Sequence, residues 1–379
     1  MLRLKTSLLI GACVGAIATS ASAQQEVVVR IGMAAPMTGP QAHYGKDSER
    51  GAQLAIDDLN AKGVTIGGKK VRWQLMPEDD AADPRQATAV AQKYVDMKIN
   101  GVIGHLNSGA TLPASKVYND AGIPMVTPSA TNPKITQQGF KYVFRTIGND
   151  GSIGSGIAKY VHDTLKFKNV AIIDDRTAYG QGVADEFEKA LKAAGGNVVA
   201  RQYTNDKATE FSAILTSIRA RKPDLIFYGG MDSQGAPLYR QIRKLGINSP
   251  LAGGDGLCTA EMVKVSTIGP DRNIYCGEAG IQLSQLKGGA DFQKRFNDRF
   301  KADILLYAPY VYDAVMVMAD AMVRAGSAEP DKYVDALAKA DYQGITARIR
   351  FDAKGDLQNA AITLQTFEKG GRAPVGVIQ

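Results

Sequence analysis

The sequence predicts an α/β fold in which parallel sheets are covered by helices on both faces, a doubly wound architecture. Short apolar runs such as residues 101–104 are typical of strands buried on both faces, and segments with helical spacing of apolar residues follow them. This alternation restarts after Thr146. With 379 residues, the chain is long enough for two domains of ordinary size. We therefore expect two α/β lobes, each built around its own parallel sheet.

The first 23 residues have the features of a secretory signal peptide. Two basic residues precede an apolar run over residues 8–17, and the small residues 21–23 form a cleavage site, which predicts a mature chain that begins at Gln24. The apolar run is too short to span a bilayer. Lipid attachment at Cys13 stays open as an alternative.

The elements of the first lobe follow in order. The pattern predicts strands over residues 27–33, 70–76, 101–104 and 124–127, and helices over residues 48–61 and 112–121. A further helix begins at Asp83, a capping residue, because Pro84 suits the first helical position. Gly122 ends the helix that precedes the last of these strands.

Two polar loops follow neighbouring strands of this lobe. Ser108 precedes one predicted helix, and Ser129, Ala130 and Thr131 precede the next helical start. Ligands bind at the carboxyl ends of such strands, and helix starts offer unpaired N–H groups that suit an anion. Two neighbouring loops with neutral hydroxyl donors suit one small carboxylate. For either residue alone, Ser108 or Thr131 capping its own helix stays an alternative.

The same stretch carries a resemblance to a known family. The segments VIGHLNSGATLPAS and YNDAGIPMVTPSAT closely resemble the periplasmic leucine/isoleucine/valine-binding proteins of bacterial ABC importers, which are type I solute-binding proteins. The likeness continues in order through MAAPMTGPQAHYG, ERGAQLAIDDLNAKGV, DDRTAYGQGVADEF, DLIFYGG and FDAKGDL. It implies two doubly wound lobes joined by a three-crossing hinge. The first lobe would comprise residues 24–148 and 277–354, and the second residues 149–276 and 355–379.

The second lobe repeats the alternating pattern. Helices are predicted over residues 153–165, 182–194, 211–220 and 237–245, and strands over residues 170–174, 198–203, 224–229 and 251–252. Long helices over residues 291–300 and 308–324 resemble the part of the family that returns to the first lobe.

The resemblance implies an α-amino acid held between the lobes. Its carboxylate would bind Ser108 and Thr131, with Ser129 and Ala130 in the same loop. Its ammonium would bind the Ser129 carbonyl and Asp255, at a place where the best-known members carry Glu.

Aromatic positions of the family surround this site. Tyr44 and Tyr179 match two of them, and Met231 stands where the family has a third aromatic residue. Tyr307 matches a further wall residue. Because Met is flexible and apolar, its presence leaves the ligand's identity open within the same class.

The mature chain would contain two cysteines, Cys258 and Cys276. An exported protein meets an oxidising compartment, which favours a disulfide between them. Two separate thiols stay an alternative, because the sequence does not fix the distance between them.

Other classes of function are disfavoured. The formal net charge is +7, but acidic and basic residues are interspersed and form no basic run that would track phosphates, so we expect no nucleic acid partner. The histidines His43, His105 and His162 are far apart, and neither a nucleophile elbow nor a phosphate-binding loop motif is present. We therefore expect no enzyme activity, no cofactor and no metal.

The resemblance implies the periplasmic substrate-binding component of an ABC importer for branched-chain amino acids. It would act as a monomer that delivers its ligand to a permease and ATPase complex. Two alternatives stay open: a different ligand of the same site, such as another amino acid, an amide or an aromatic acid, and a sensory ligand-binding protein.

Overall fold

The computed structural model describes residues 26–266, 272–368 and 371–378. The predicted signal peptide, its cleavage site and Cys13 lie outside the described residues. Among the described residues, no helix combines the length and the apolar character that crossing a membrane requires.

The N-terminal part of the chain alternates strands and helices around the first sheet. Its elements are β1 (Val27–Ala35), α1 (Ala42–Ala61), β2 (Thr65–Ile66), β3 (Lys69–Asp79), α2 (Pro84–Asp96), β4 (Gly101–Gly104), α3 (Ser108–Asp120), β5 (Met125–Thr127), α4 (Lys134–Gln137) and β6 (Val143–Arg145). The strand order is β2-β3-β1-β4-β5-β6, and the pairings are parallel apart from the β2–β3 hairpin.

The next part of the chain builds the second sheet. Its elements are α5 (Asp150–Lys159), β7 (Asn169–Asp174), α6 (Ala178–Ala193), β8 (Asn197–Tyr203), α7 (Ser212–Ala220), β9 (Leu225–Gly229), α8 (Asp232–Lys244), β10 (Leu251–Gly253), α9 (Glu261–Ser266) and β11 (Ile274–Ala279). Helix α5 continues into a π-helical turn over Tyr160–Thr164.

The C-terminal part of the chain adds helices that pack beside the first sheet and two strands that join the second sheet. Its elements are α10 (Gly289–Phe300), α11 (Ala308–Ala325), α12 (Pro330–Ala338), β12 (Tyr342–Gln343), β13 (Arg348–Ile349), β14 (Ile362–Glu368) and β15 (Gly371–Ile378). Helix α11 packs along α1, whereas β14 and β15 extend the second sheet as antiparallel strands. The second sheet has the order β15-β14-β11-β10-β9-β7-β8, and β7 to β11 pair in parallel.

The predicted doubly wound α/β fold class is confirmed, and the burial of the strands explains why it could be predicted. Strands β4, β5, β9 and β10 are buried along their whole length, as strands covered by helices on both faces must be. Helix α11 is apolar almost all round, which fits its position between α1 and α12 and against β4 and β5 of the first sheet.

Several helices begin earlier than predicted. Helix α3 begins at Ser108 instead of residue 112, α6 at Ala178 instead of 182, and α8 at Asp232 instead of 237. The predictions began each helix where apolar periodicity became clear, but these first turns are polar or glycine-containing. As a result, Ser108 and Tyr179 lie inside the first turn of their helices rather than before it.

The predicted lobe boundaries stay a proposal. Residues 277–279, which that division gives to the first lobe, belong to β11 and therefore lie in the second sheet. The chain leaves this sheet only after Ala279.

Candidate ligand-binding site

The two polar loops of the first lobe lie side by side because they follow parallel neighbouring strands. Val102 of β4 pairs with Met125 of β5, so both strands end at the same edge of the sheet. The backbone N–H of Asn132 donates a hydrogen bond to Ser108 Oγ at 3.2 Å, which joins the loops directly. The Ser108 hydroxyl therefore contacts the neighbouring loop, while Asn107 occupies the capping position of α3. We call Ser108 and residues 129–132 the first-lobe wall.

Thr131 is the member of this wall whose hydroxyl makes no hydrogen bond within the described residues. Its side chain is fully buried, and Oγ1 has no hydrogen-bond partner among the described residues. Ser129 donates its hydroxyl to the Leu106 carbonyl at 3.2 Å, and the Ala130 N–H donates to Thr127 Oγ1 at 3.0 Å. The Ala130 amide is thus occupied within the lobe. The neighbouring Asp150 carboxyl interacts with this hydroxyl, although no hydrogen bond of good geometry joins the two side chains.

Arg145 braces the first-lobe wall from behind. This fully buried side chain donates to the backbone carbonyls of Ala130 and Asn132, at 3.2 and 2.8 Å, on either side of Thr131. Its Nε donates to Asp356 Oδ1 at 2.7 Å, which neutralises the charge. The planar guanidinium supplies several donors in fixed directions, so it can hold the loop in one conformation.

The opposite wall is built around Asp255, which lies in a 3-10 turn after β10 and is 1% exposed. Tyr179 donates its hydroxyl to Asp255 Oδ1 and Tyr307 donates to Oδ2, both at 2.8 Å. Burial raises the pKa of Asp255 to about 6, and the hydrogen bonds from Tyr307 and Tyr179 hold it below a still higher value. Among the described residues, no cation is a hydrogen-bond partner of this carboxylate. We call Tyr179, Met231 and residues 255–256 the second-lobe wall.

The predicted cysteine pair fixes the turn that carries Asp255. Cys258 and Cys276 are joined by a disulfide with their Cα atoms 5.5 Å apart, and both side chains are buried. Cys258 follows the 3-10 turn and Cys276 lies in β11, so the bond ties the turn to the second sheet.

Contacts between the lobes show a closed arrangement. Tyr44 donates its hydroxyl to the Gly256 carbonyl at 2.9 Å, and Tyr307 reaches Asp255 from the first lobe. The rings of Tyr44 and Tyr307 lie 5.8 Å apart. Met231 packs over the turn, because a Cβ added at Gly256 would lie 2.8 Å from its sulfur. The structure therefore brings Tyr44, Tyr179, Met231, Asp255 and Tyr307 into one cluster.

A second buried carboxylate, Asp150, was not predicted as a site residue. It is the first residue of α5, its backbone N–H donates to the Thr131 carbonyl at 2.8 Å, and its oxygens have no partner among the described residues. Burial raises its pKa well above the ordinary value, the nearby Thr131 side chain opposes that rise, and the Asp255 charge adds to it. No sign of a ligand here was visible in the sequence, because an Asp that follows a capping residue such as Asn149 is common at ordinary helix starts.

An ion pair across the lobes was also missed. His43 Nε2 lies 3.0 Å from Asp232 Oδ2, and Thr259 donates its hydroxyl to the same oxygen at 2.5 Å. His43 belongs to α1 and Asp232 begins α8. Neither residue stood in a recognisable motif, and only the closed arrangement brings them together.

The geometry suits a small zwitterion. The first-lobe wall offers neutral donors at helix starts, while the buried carboxyls of Asp255 and Asp150 have no basic side chain among their hydrogen-bond partners in the described residues. Two carboxylates in one desolvated region favour a positively charged group of a ligand between them. Among the described residues, no cluster of three or more metal-ligating side chains was found.

His105 has a structural role. It is fully buried, with Nδ1 2.8 Å from Asp80 Oδ2 and Nε2 2.9 Å from the Tyr118 hydroxyl. Both ring nitrogens are therefore occupied within the first lobe.

Comparison with known proteins identifies the family. A family described as periplasmic binding protein matches residues 28–372. The chain is 33% identical to a Leu/Ile/Val-binding protein homologue of Brucella abortus over 96% of each chain. It is 26% identical to a leucine-binding protein of Thermotoga maritima, with a TM-score of 0.86 over 93% of this chain and 99% of that one. For a branched-chain amino acid transporter substrate-binding protein of Streptococcus pneumoniae in complex with isoleucine, the identity is 27% and the TM-score 0.82, over 92% and 98%. The chain belongs to the periplasmic binding protein family, whose members bind solutes rather than act as enzymes.

Proposed function

We propose that this chain is the periplasmic substrate-binding component of an ABC importer and that it binds branched-chain amino acids by closure of its two lobes. The names of its relatives support this proposal, since the Brucella relative is a Leu/Ile/Val-binding protein homologue and the Streptococcus structure holds isoleucine. Export through a signal peptide over residues 1–23, and delivery by a monomer to a permease and ATPase complex, belong to the same proposal.

One observation carries the proposal: the buried carboxylate of Asp255, in the second-lobe wall, accepts hydrogen bonds from two tyrosines, one from each lobe. The ammonium of an α-amino acid would bind this carboxylate, and its carboxylate would bind Ser108 and the hydroxyl of Thr131. Closure excludes water, so each of these polar contacts is stronger than it would be at the surface. The ligand would therefore shift the population towards the closed state.

Calorimetric titration of the mature protein with leucine, isoleucine and valine tests this function. We expect saturable binding of at least one of them with a stoichiometry of one ligand per chain. Leucine with its amino group acetylated, and leucine amide, serve as matched controls, because each removes one of the two charges. Equal binding of leucine and both controls would contradict the assignment of the two walls.

A further inference from the structure

A cavity of about 330 Å³ lies between the lobes, directly beside the proposed ligand site. On the first-lobe side its lining includes Asn107 and Gly109, the two chain neighbours of Ser108. On the other side it includes Tyr179 and Met231 of the second-lobe wall. If the walls hold the carboxylate and ammonium of a bound amino acid, its side chain would therefore extend into this cavity.

The lining of this cavity changes in character along its length. At the inner end, Tyr179 and Met231 are 7% and 6% exposed and present an aromatic ring and a thioether. At the outer end, Arg176 and Asp206 are both exposed, and they bring one positive and one negative charge to the rim. An occupant would therefore have an apolar inner part and an end that tolerates water or a polar group.

The volume exceeds what an aliphatic side chain needs. One water molecule takes up about 30 Å³ of liquid volume, so the cavity has room for on the order of ten waters. The four carbons of a leucine side chain would leave much of that space to solvent. An aromatic ring would fill more of it, and rings pack favourably against both tyrosine and methionine side chains.

We propose that the site takes aromatic α-amino acids, phenylalanine and tyrosine, as well as aliphatic ones. This inference rests on the proposed function, because it assumes that the walls hold the ligand's carboxylate and ammonium. The ring lies against Tyr179 and Met231, and the phenol hydroxyl of tyrosine points towards the rim at Arg176 and Asp206.

Gly109 offers a way to fill the cavity without disturbing the walls' hydrogen bonds. A Cβ added there would lie 3.9 Å from Pro84 Cγ and 4.0 Å from Ala178 Cβ, which are ordinary contacts with two lining residues. The position is helical, so Gly109→Leu also raises helix propensity. Gly376→Leu is the matched control, because an added Cβ there meets no atom within 4 Å.

The experiment is calorimetric titration of wild type and both variants with leucine, phenylalanine and tyrosine. We expect both aromatic ligands to bind wild type within tenfold of leucine or more tightly. Gly109→Leu should weaken aromatic binding at least tenfold more than leucine binding, and Gly376→Leu should match wild type. The inference is overturned if leucine binds but both aromatic ligands bind more than tenfold more weakly, or if Gly109→Leu weakens all three equally.

The same titration separates this inference from the function beneath it. If none of the three amino acids binds wild type, the proposed function itself fails. If Gly109→Leu does not fold, as judged by its thermal melt, the wild-type comparison alone decides between aliphatic and mixed specificity.

Discussion

The first-lobe wall and the second-lobe wall face the same gap but are built on different principles. The first presents neutral donors, Ser108 and Thr131, and its loop is held by hydrogen bonds from the buried Arg145. The second presents the Asp255 carboxylate, held by two phenols and by a covalent tie between Cys258 and Cys276. An anion needs only oriented donors, whereas a buried carboxylate must be kept in place despite its desolvation cost.

The two walls also differ in which lobe supplies the hydrogen bonds that hold them in place. The hydroxyls of Ser108 and Ser129 are hydrogen-bonded to backbone groups of their own lobe, although Asn132 Nδ2 donates to the Ala178 carbonyl and the Asp150 N–H donates to the Thr131 carbonyl. Asp255 depends on both lobes, because Tyr179 belongs to its own lobe and Tyr307 reaches it from the other side. The first wall should therefore bind ligand in the open state, and the second should respond to closure.

The largest effect should come from removing the brace of the first wall. Arg145→Met should lower the free energy of unfolding by about 3–5 kcal/mol, because it removes the cationic partner of Asp356 and the donor to two buried loop carbonyls. Chemical denaturation followed by circular dichroism measures this loss. Lys116→Met is the control, since it breaks an exposed ion pair with Asp120 and should cost less than about 1 kcal/mol. Equal losses in the two variants would show that Arg145 is no brace.

Next in size is the loss of the charge on the second wall. Asp255→Asn keeps an acceptor for one tyrosine but removes the partner of the ligand's ammonium, so leucine binding should weaken by about 2–5 kcal/mol. Binding by wild type should also weaken as the pH falls below about 6, because the pKa of Asp255 is raised to about 6 and the neutral acid attracts the ammonium less. Calorimetry from pH 5 to pH 7 measures both effects, and an unchanged affinity in Asp255→Asn would refute the role of this wall.

A smaller effect is expected from the hydroxyls of the first wall. Thr131→Ala and Ser108→Ala should each weaken leucine binding by about 1–3 kcal/mol, because each removes one buried donor. Thr131→Ser retains the hydroxyl and should stay close to wild type. If both alanine variants bound leucine as tightly as wild type does, these hydroxyls would not be donors to the ligand's carboxylate.

The smallest effect should come from the ion pair that links the lobes outside the walls. Burial lowers the pKa of His43, but its hydrogen bond to Asp232 and the charges of Asp232, Glu261 and Asp47 outweigh burial, so the net shift is upward from 6.5. Protonated His43 stabilises the closed state fully below about pH 6.5, and this contribution is lost as the pH rises through the raised pKa.

Leucine affinity should therefore fall by a few-fold between pH 6.5 and pH 8.5, which is less than about 1 kcal/mol because His43 is 31% exposed. Titrations from pH 7 to pH 8.5 measure most of this slope and keep Asp255, whose pKa is raised to about 6, largely ionised. His43→Gln should have a flat profile over the same range, and a slope that survives in this variant would exclude His43 as its source.

Much of the site could be predicted because its residues stand at strand ends. Ser108 and Thr131 follow β4 and β5 of the first sheet and Asp255 follows β10 of the second, and the alternation of strands and helices brings such positions to the carboxyl edge of each sheet. The helix starts were misplaced because the turns that face the ligand are polar, and polar turns weaken the apolar periodicity that marks a helix. Two of the proposed binding residues, Ser108 and Tyr179, therefore lie in the helix starts that were misplaced.

By itself, the sequence determined the doubly wound fold class and the two polar loops of the first lobe, because local periodicity and residue type carry that information. The other groups that face the gap were expected only from the resemblance to a known family. Only the tertiary structure decided which groups meet across the lobes: His43 with Asp232, Tyr307 with Asp255, and Arg145 with the loop around Thr131. It also decided that the buried Asp150 carboxyl has no hydrogen bond of good geometry among the described residues and that a cavity opens beside Met231. These facts depend on distances between residues far apart in the chain, which no local pattern encodes.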